Sequence, residues 1–257
     1  MTQVFGTYAK TIRCFLRIRA IAIFTILLPI FLLLITSATF SKSVSASDLP
    51  LAKGVLTFAM VAFSVMMAGI LNLAGSISRD RETGLLTKLK SMPIKPWRDF
   101  LGRLMGTTLL SLVAAVLIIA VGLAFGARFS GTITNDLEVI GFLLLAIISA
   151  AGIGLIIGSY TKLVMATFLT ALAVSLVTAF ISGIFIQYEV LPTFLQGFSR
   201  FYPISSATSS SVYLLLGQTA AGYDPITVVQ VVATVLISVG LLAVGITIYS
   251  KQGWKRD

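Results

Sequence analysis

The chain has 257 residues, 57% of them apolar and 11% charged, with a formal net charge of +10, no histidine and one cysteine, Cys14. That balance excludes an ordinary soluble domain, the residue inventory cannot assemble a metal-ligand cluster, and a lone cysteine excludes an internal disulfide. A basic chain can also bind nucleic acid, but here the cations sit beside apolar segments, where anionic lipid headgroups suit them better, so no nucleic-acid partner is expected.

The arm 1–19 mixes Val4, Phe5, Tyr8, Ile12, Phe15 and Leu16 with Lys10, Arg13, Arg17 and Arg19. This pattern predicts an amphipathic helix lying in the membrane interface. Six windows then follow without a single charged residue: 20–41, 54–78, 104–127, 139–161, 163–188 and 225–250. A helix rises about 1.5 Å per residue, so roughly 20 residues cross a hydrocarbon core about 30 Å thick. A charge at the centre of such a helix costs about 2.5–3.5 kcal/mol on the mildest scale, so clean windows of this length read as spans. The expected fold is therefore an all-α integral membrane domain over 1–257, with six transmembrane helices at about 20–41, 54–78, 98–127, 137–161, 163–188 and 225–250. The first is too long for a signal-peptide core and is read as a retained span. Pro29 falls inside it and is expected to kink it.

A seventh uncharged window, 201–223, begins with Tyr202-Pro203 and is crowded with serine and threonine from Ser205 to Ser211. Its apolar part, Val212 to Leu216, is too short to cross, so a re-entrant segment is expected. Of the 19 Lys and Arg, fifteen fall on one side of this six-span layout, and only Lys42, Lys53, Arg128 and Arg200 on the other. The positive-inside rule then places both termini in the cytoplasm.

Between the second and third spans, residues 79–93 read RDRETGLLTKLKSMP. Leu85, Leu86, Leu89 and Met92 recur at helical spacing, with Arg81, Lys88 and Lys90 pointing elsewhere. Ser78 or Asp80 is the expected N-cap, Asp80 and Glu82 suit the start of a helix dipole, Gly84 leaves a gap for another surface, and Pro93 and Pro96 stop the helix. A short amphipathic helix in the water, between two spans, reads as a docking surface for a partner.

Catalytic groups are missing. No acidic residue lies in any of the six charge-free windows, and no G-x-x-x-x-G-K-[ST] phosphate loop occurs, so the chain is not expected to bind or split ATP itself. Shape remains. The glycines at 102 and 106, 122 and 126, and 154 and 158 are each four apart, a spacing that lets helix backbones approach. Met60, Phe63 and Met67 in the second span, with Phe180 and Phe185 in the fifth, could line an apolar substrate route, although core packing or lipid contact is the commoner role for such residues.

Two stretches carry a resemblance. Arg81-Glu82-Thr83-Gly84-Leu85-Leu86, then Leu89 and Pro93, then Phe100-Leu101-Gly102-Arg103-Leu104, closely resembles the type-2 permeases of ATP-binding-cassette exporters. In that family this pattern marks the cytoplasmic coupling helix between spans two and three. Gly183-Ile184-Phe185, Leu191-Pro192 and Tyr202-Pro203-Ile204 are similar to the family's pattern between spans five and six, where short re-entrant helices lie on the outer side.

The resemblance implies a plasma-membrane permease pairing with a second permease copy and with two copies of a separate ATPase subunit. ATP and Mg would lie on that subunit and no cofactor on this chain. It further implies that Arg81, Glu82, Gly84, Leu85, Leu86, Leu89 and Pro93 couple the chain to the ATPase. The expected cargo is an amphipathic or hydrophobic molecule such as a drug, an antibiotic or a lipid-linked compound. Polysaccharide or ion export by the same architecture, a passive channel and a membrane scaffold are the alternatives.

Overall fold

The computed structural model describes residues 2–17, 23–40, 48–91, 96–129, 133–186, 188–217 and 221–253, and these are helical with short connections. Helix α1 is Thr2–Arg17; a π-helical turn Ile23–Leu27 leads into α2, Leu28–Phe40. Helix α3, Leu49–Met67, runs through a second π turn, Ala68–Asn72, into α4, Leu73–Glu82. The short α5, Leu85–Ser91, precedes the long α6, Pro96–Ala124, α7, Ile133–Tyr160, and α8, Val164–Ile181. Two shorter helices follow, α9, Thr193–Phe201, and α10, Pro203–Leu216. The last helix is α11, Val228–Ile248, ending in a π turn, Tyr249–Gly253.

Five of these helices are long and apolar enough to cross a membrane: Leu49–Glu82, Pro96–Ala124, Thr134–Tyr160, Val164–Ile181 and Val228–Gln252. A sixth apolar helix, Ile23–Thr39, is shorter. The protein is a membrane-embedded helical bundle, and its axis is the continuous α3–α4 rod, almost wholly buried inside the chain. That rod can be buried on every side because α7 brings small residues to it. A Cβ on Gly154 would stand 2.7 Å from the Gly69 carbonyl oxygen, and one on Gly158 would stand 3.0 Å from Ala74 Cα. Gly102 and Gly106 do the same for α1, with Cβ positions 2.7 Å from the Val4 carbonyl and 2.8 Å from Thr11. The third pair divides. Gly122 admits Thr57, whereas Gly126 sits at φ +89° and turns the chain out of α6.

Pro29 has a visible structural consequence. A proline has no N–H for the carbonyl four residues earlier, here Thr25, in the π turn just before α2. Ser64 Oγ of α3 donates to that Thr25 carbonyl from across the interface. That bond gives the Thr25 carbonyl a partner across the interface, in apolar surroundings where backbone polar groups must be satisfied within the protein.

The serine-rich segment is a full helix, α10, with Ser205, Ser206, Ser210 and Ser211 buried. Thr208 and Ser211 donate back to carbonyls one turn earlier, while Ser206 meets Thr234 of α11 at 2.6 Å and Ser205 meets Ser199 at 2.6 Å. The prolines of this region begin helices: Pro192 is the N-cap of α9, and Pro203 opens α10. Helix α8 stops at Ile181, short of the charge-free window, because Gly183 turns at φ +74°.

Candidate functional site

The stretch 79–93 does not form one helix. Arg79 to Glu82 complete α4, and the new helix begins only at Leu85. Gly84, at φ +68°, separates the two, a conformation that costs other residues roughly 1–2 kcal/mol. Ser78 and Asp80 therefore cap nothing; both are buried within α4. Pro96 opens α6, while Pro93 and Met92 lie outside the described residues. On α5, Leu86 is 2% exposed and already used by the fold. Leu85 and Leu89 are half-buried, and Thr87 and Lys88 are exposed. A Cβ on Gly84 would meet nothing within 4 Å, so the turn stands open.

Arg81 and Glu82 have partners within the chain. The Arg81 guanidinium donates from Nη1 to the Thr161 carbonyl at 2.8 Å and from Nη2 to the Ser159 carbonyl at 3.2 Å. These are acceptors left over at the C-terminus of α7, where the helix dipole is negative. The Val164 N–H, first in α8, donates to Glu82 Oε1 at 2.7 Å. Leu163, the N-cap residue, offers no side-chain cap, so Glu82 caps α8 from another helix, at its positive end. Adjacent opposite charges thus clasp adjacent helix ends of opposite polarity, and the α7–α8 connection is tied to α4.

One turn deeper lies a buried cluster centred on Arg103 of the Phe100–Leu104 stretch. Arg103 of α6 is 1% exposed. Its Nε donates to Asp99 Oδ2 at 2.8 Å, its Nη1 to Ser76 Oγ at 3.0 Å, and its Nη2 to Asp80 Oδ2. Lys10 of α1 also reaches Asp80. Tyr249 donates its hydroxyl to Asp99 Oδ2 at 2.8 Å, and Thr7 donates to Oδ1 at 3.3 Å. Two cations face two carboxylates, so the cluster is neutral while joining α1, α4, α6 and the final π turn. Burial holds the Lys10 ammonium below its ordinary range and the Arg103 guanidinium adds to that, while Asp80 opposes both. The sequence signal was present: Asp99 and Arg103 are four apart, at the end of an apolar helix.

The aromatic candidates converge in part. Phe185 lies 5.1 Å from Phe63 and 5.4 Å from Phe180, ring centre to ring centre. Phe180 is half exposed and Phe185 half-buried, but Met60, Phe63 and Met67 are sealed within the core of a single copy. In the second π turn, Asn72 is buried, and neither of its amide atoms has a hydrogen-bond partner among the described residues.

A bundle of membrane-length apolar helices, fastened at one end by buried ion pairs and carrying a short turned-out helix, defines a membrane-embedded helical protein. The sequence model of the ABC-2 type transporter family matches residues 2–216, and the chain belongs to that family. Similar curated proteins include the probable multidrug ABC transporter permease YbhR of Escherichia coli K12 and its counterpart in Escherichia coli O157:H7. Each is 25% identical over 145 residues. The alignment spans 54% of this chain and 38% of each relative's length.

Proposed function

We propose that this chain is the permease subunit of an ATP-driven exporter. Two permease copies would sit on two copies of a separate ABC ATPase, which carries ATP and Mg. Six spans, with Ile23–Phe40 as the first, would put both termini in the cytoplasm of a plasma-membrane protein. Helices α9 and α10 would then be the re-entrant pair on the outer side. The first span supports this: its π turn and α2 comprise 5 and 13 residues, about 27 Å of helix. The cargo on this reading is an amphipathic or hydrophobic molecule such as a drug, an antibiotic or a lipid-linked compound, in keeping with the multidrug wording of the relatives' names. Polysaccharide or ion export fits the same architecture.

The observation that carries the reading is the α4–α5 junction in a chain of this family. A helix of seven residues hangs on one left-handed glycine, with Leu85 and Leu89 only half covered and Lys88 in the open. Leu85, Leu86, Leu89 and Pro93 supply or shape the ATPase contact on this reading, and Gly84 aims it. Arg81 and Glu82 act from behind, holding the α7–α8 connection against the helix that is pushed.

The test is whether a neighbouring reading frame encodes an ABC ATPase and whether that subunit co-purifies with this chain and is stimulated by it. Leu89→Asp should abolish binding of the ATPase while leaving membrane insertion and thermal stability near those of the parent. Glu82→Ala should impair coupling with binding retained. Normal drug-stimulated ATP hydrolysis in both variants would refute the assignment, and a channel or scaffold would show no nucleotide-dependent flux at all.

A further inference from the structure

Helix α6 has two unlike sides. One is buried, with Phe100, Arg103, Thr107 and Ser111 turned inward. The other stays exposed along its length, from Trp97 through Met105, Leu109 and Val113 to Val116 and Leu117. Because Gly102 and Gly106 admit the α1 backbone, Val4, Phe5 and Tyr8 stand beside this outer side. They wall a furrow of about 610 Å³ against Leu104, Met105 and Thr108. Leu112 carries it onward into a second hollow of about 260 Å³ between Val113 and Leu117. The thirteen steps from Leu104 to Leu117 rise about 20 Å, more than half of a hydrocarbon core about 30 Å thick. Among the described residues, Tyr8 and Thr108 bring the only hydroxyls to this lining, and no charged side chain enters it.

The charged groups stand at one end. By helical register the exposed stripe leads back from Met105 to Trp97 and Arg98. The Arg98 guanidinium lies 5.4 Å from the centre of the half-exposed Trp97 ring. An interfacial tryptophan beside an arginine is the pairing expected at the headgroup level of a bilayer.

We infer that the furrow between α1 and α6 is a binding site for a resident anionic glycerophospholipid, one acyl chain lying along Leu104 to Leu117 and the phosphate beside Trp97 and Arg98. The occupant follows from the lining: an apolar furrow open to the bilayer takes a hydrocarbon chain, and Arg98, back along α6 from Leu104, supplies a cation that complements a phosphate. Unlike bulk lipid on a flat helix face, this chain has a second protein wall, supplied by α1, along its stretch from Leu104 to Leu112, while α6 alone lines the hollow beyond. That wall is the helix tied to α4 and α6 through Lys10 and Thr7, so the lipid would wedge the same joint.

The experiment uses the full chain in nanodiscs of phosphatidylcholine with a trace of phosphatidylglycerol carrying a photoreactive diazirine mid-chain, read by peptide mass spectrometry. Adducts should concentrate on Val4–Tyr8 and Met105–Leu117, several-fold above those on the exposed α11 face at Leu236. Thr108→Trp should fill the furrow and lower the α6 adducts several-fold with α11 unchanged. Arg98→Gln should lower the yield from the phosphatidylglycerol probe but not from a phosphatidylcholine probe. Equal labelling of the α6 and α11 faces in the parent protein would overturn the inference, whatever the variants do. So would displacement of the label by excess tetraphenylphosphonium, which would make the furrow a cargo site, or a Met105→Cys disulfide between two copies, which would make it a protein interface.

Discussion

Arg103→Leu is the sharpest perturbation of the buried cluster. The guanidinium holds Asp99 and Asp80 together and touches Ser76, all of them buried. Removing it leaves two buried carboxylates with one remaining cation, Lys10, whose side chain is 34% exposed. Breaking a buried pair from one side costs about 3–5 kcal/mol, because the stranded charge keeps its desolvation penalty. At roughly 2–4 °C per kcal/mol for a chain of this size, the loss corresponds to about 6–20 °C in melting temperature. Asp99→Leu added to Arg103→Leu removes the stranded charge and restores neutrality, so the double variant should be more stable than Arg103→Leu alone. Lys10→Met should cost about 1 kcal/mol or less, since a half-exposed pair is weak and Asp80 keeps its arginine. Intrinsic fluorescence during heating in one fixed detergent ranks the three against the parent. An Arg103→Leu shift no larger than that of Lys10→Met, or a double variant less stable than Arg103→Leu, would refute the account of a closed, mutually neutralising cluster.

Two glycines of α7 form a matched pair. Gly154→Ala drives a methyl into the Gly69 and Ile70 carbonyls and should cost about 1–3 kcal/mol, whereas Gly141→Ala meets nothing within 4 Å and should be neutral or slightly stabilising on the same melts. Ser64→Ala removes a donor to the Thr25 carbonyl and should cost about 0.6–2 kcal/mol; a Pro29→Ala background, which restores the N–H, should shrink that cost. Gly84→Ala puts a methyl on a residue at φ +68° and should cost about 1–2 kcal/mol, with proteolysis between α4 and α5 increasing while the rest of the bundle resists.

The bundle was legible where one physical rule acts alone. Apolar length marks a membrane helix whatever its neighbours are, and a four-residue glycine spacing marks a close crossing, which Gly102, Gly106, Gly154 and Gly158 all make. The site was less legible because its residues act in combination. Asp80 reads as a helix cap while its helix is taken to begin near it; it is a buried counter-ion once α4 is seen to run on to Glu82. Arg103 reads as one more cation for a topology rule until Asp80, Asp99 and Tyr249 are brought together around it, Tyr249 from 150 positions beyond Asp99. Gly84 was visible as an opening, but the left-handed turn that makes the opening depends on where two helices end. Met60 and Met67 look like a channel lining along one helix, and only packing on every side of that helix shows them closed in.

The position of the clasp bears on how a push at α5 would travel, if α5 is the surface that meets an ATPase. A two-residue turn, Thr83 and the left-handed Gly84, separates α5 from α4. Beyond it, the last four residues of α4 are fixed on three sides. Arg81 grips the end of α7, Glu82 grips the start of α8, and Asp80 is shared by α6 and α1. Displacing α4 at this end therefore drags four other helices with it rather than sliding past them. Further along the rod, the departure from regular α-helix is the π turn Ala68–Asn72. There Gly69 contributes no side chain, and the buried Asn72 amide has no partner among the described residues to hold it.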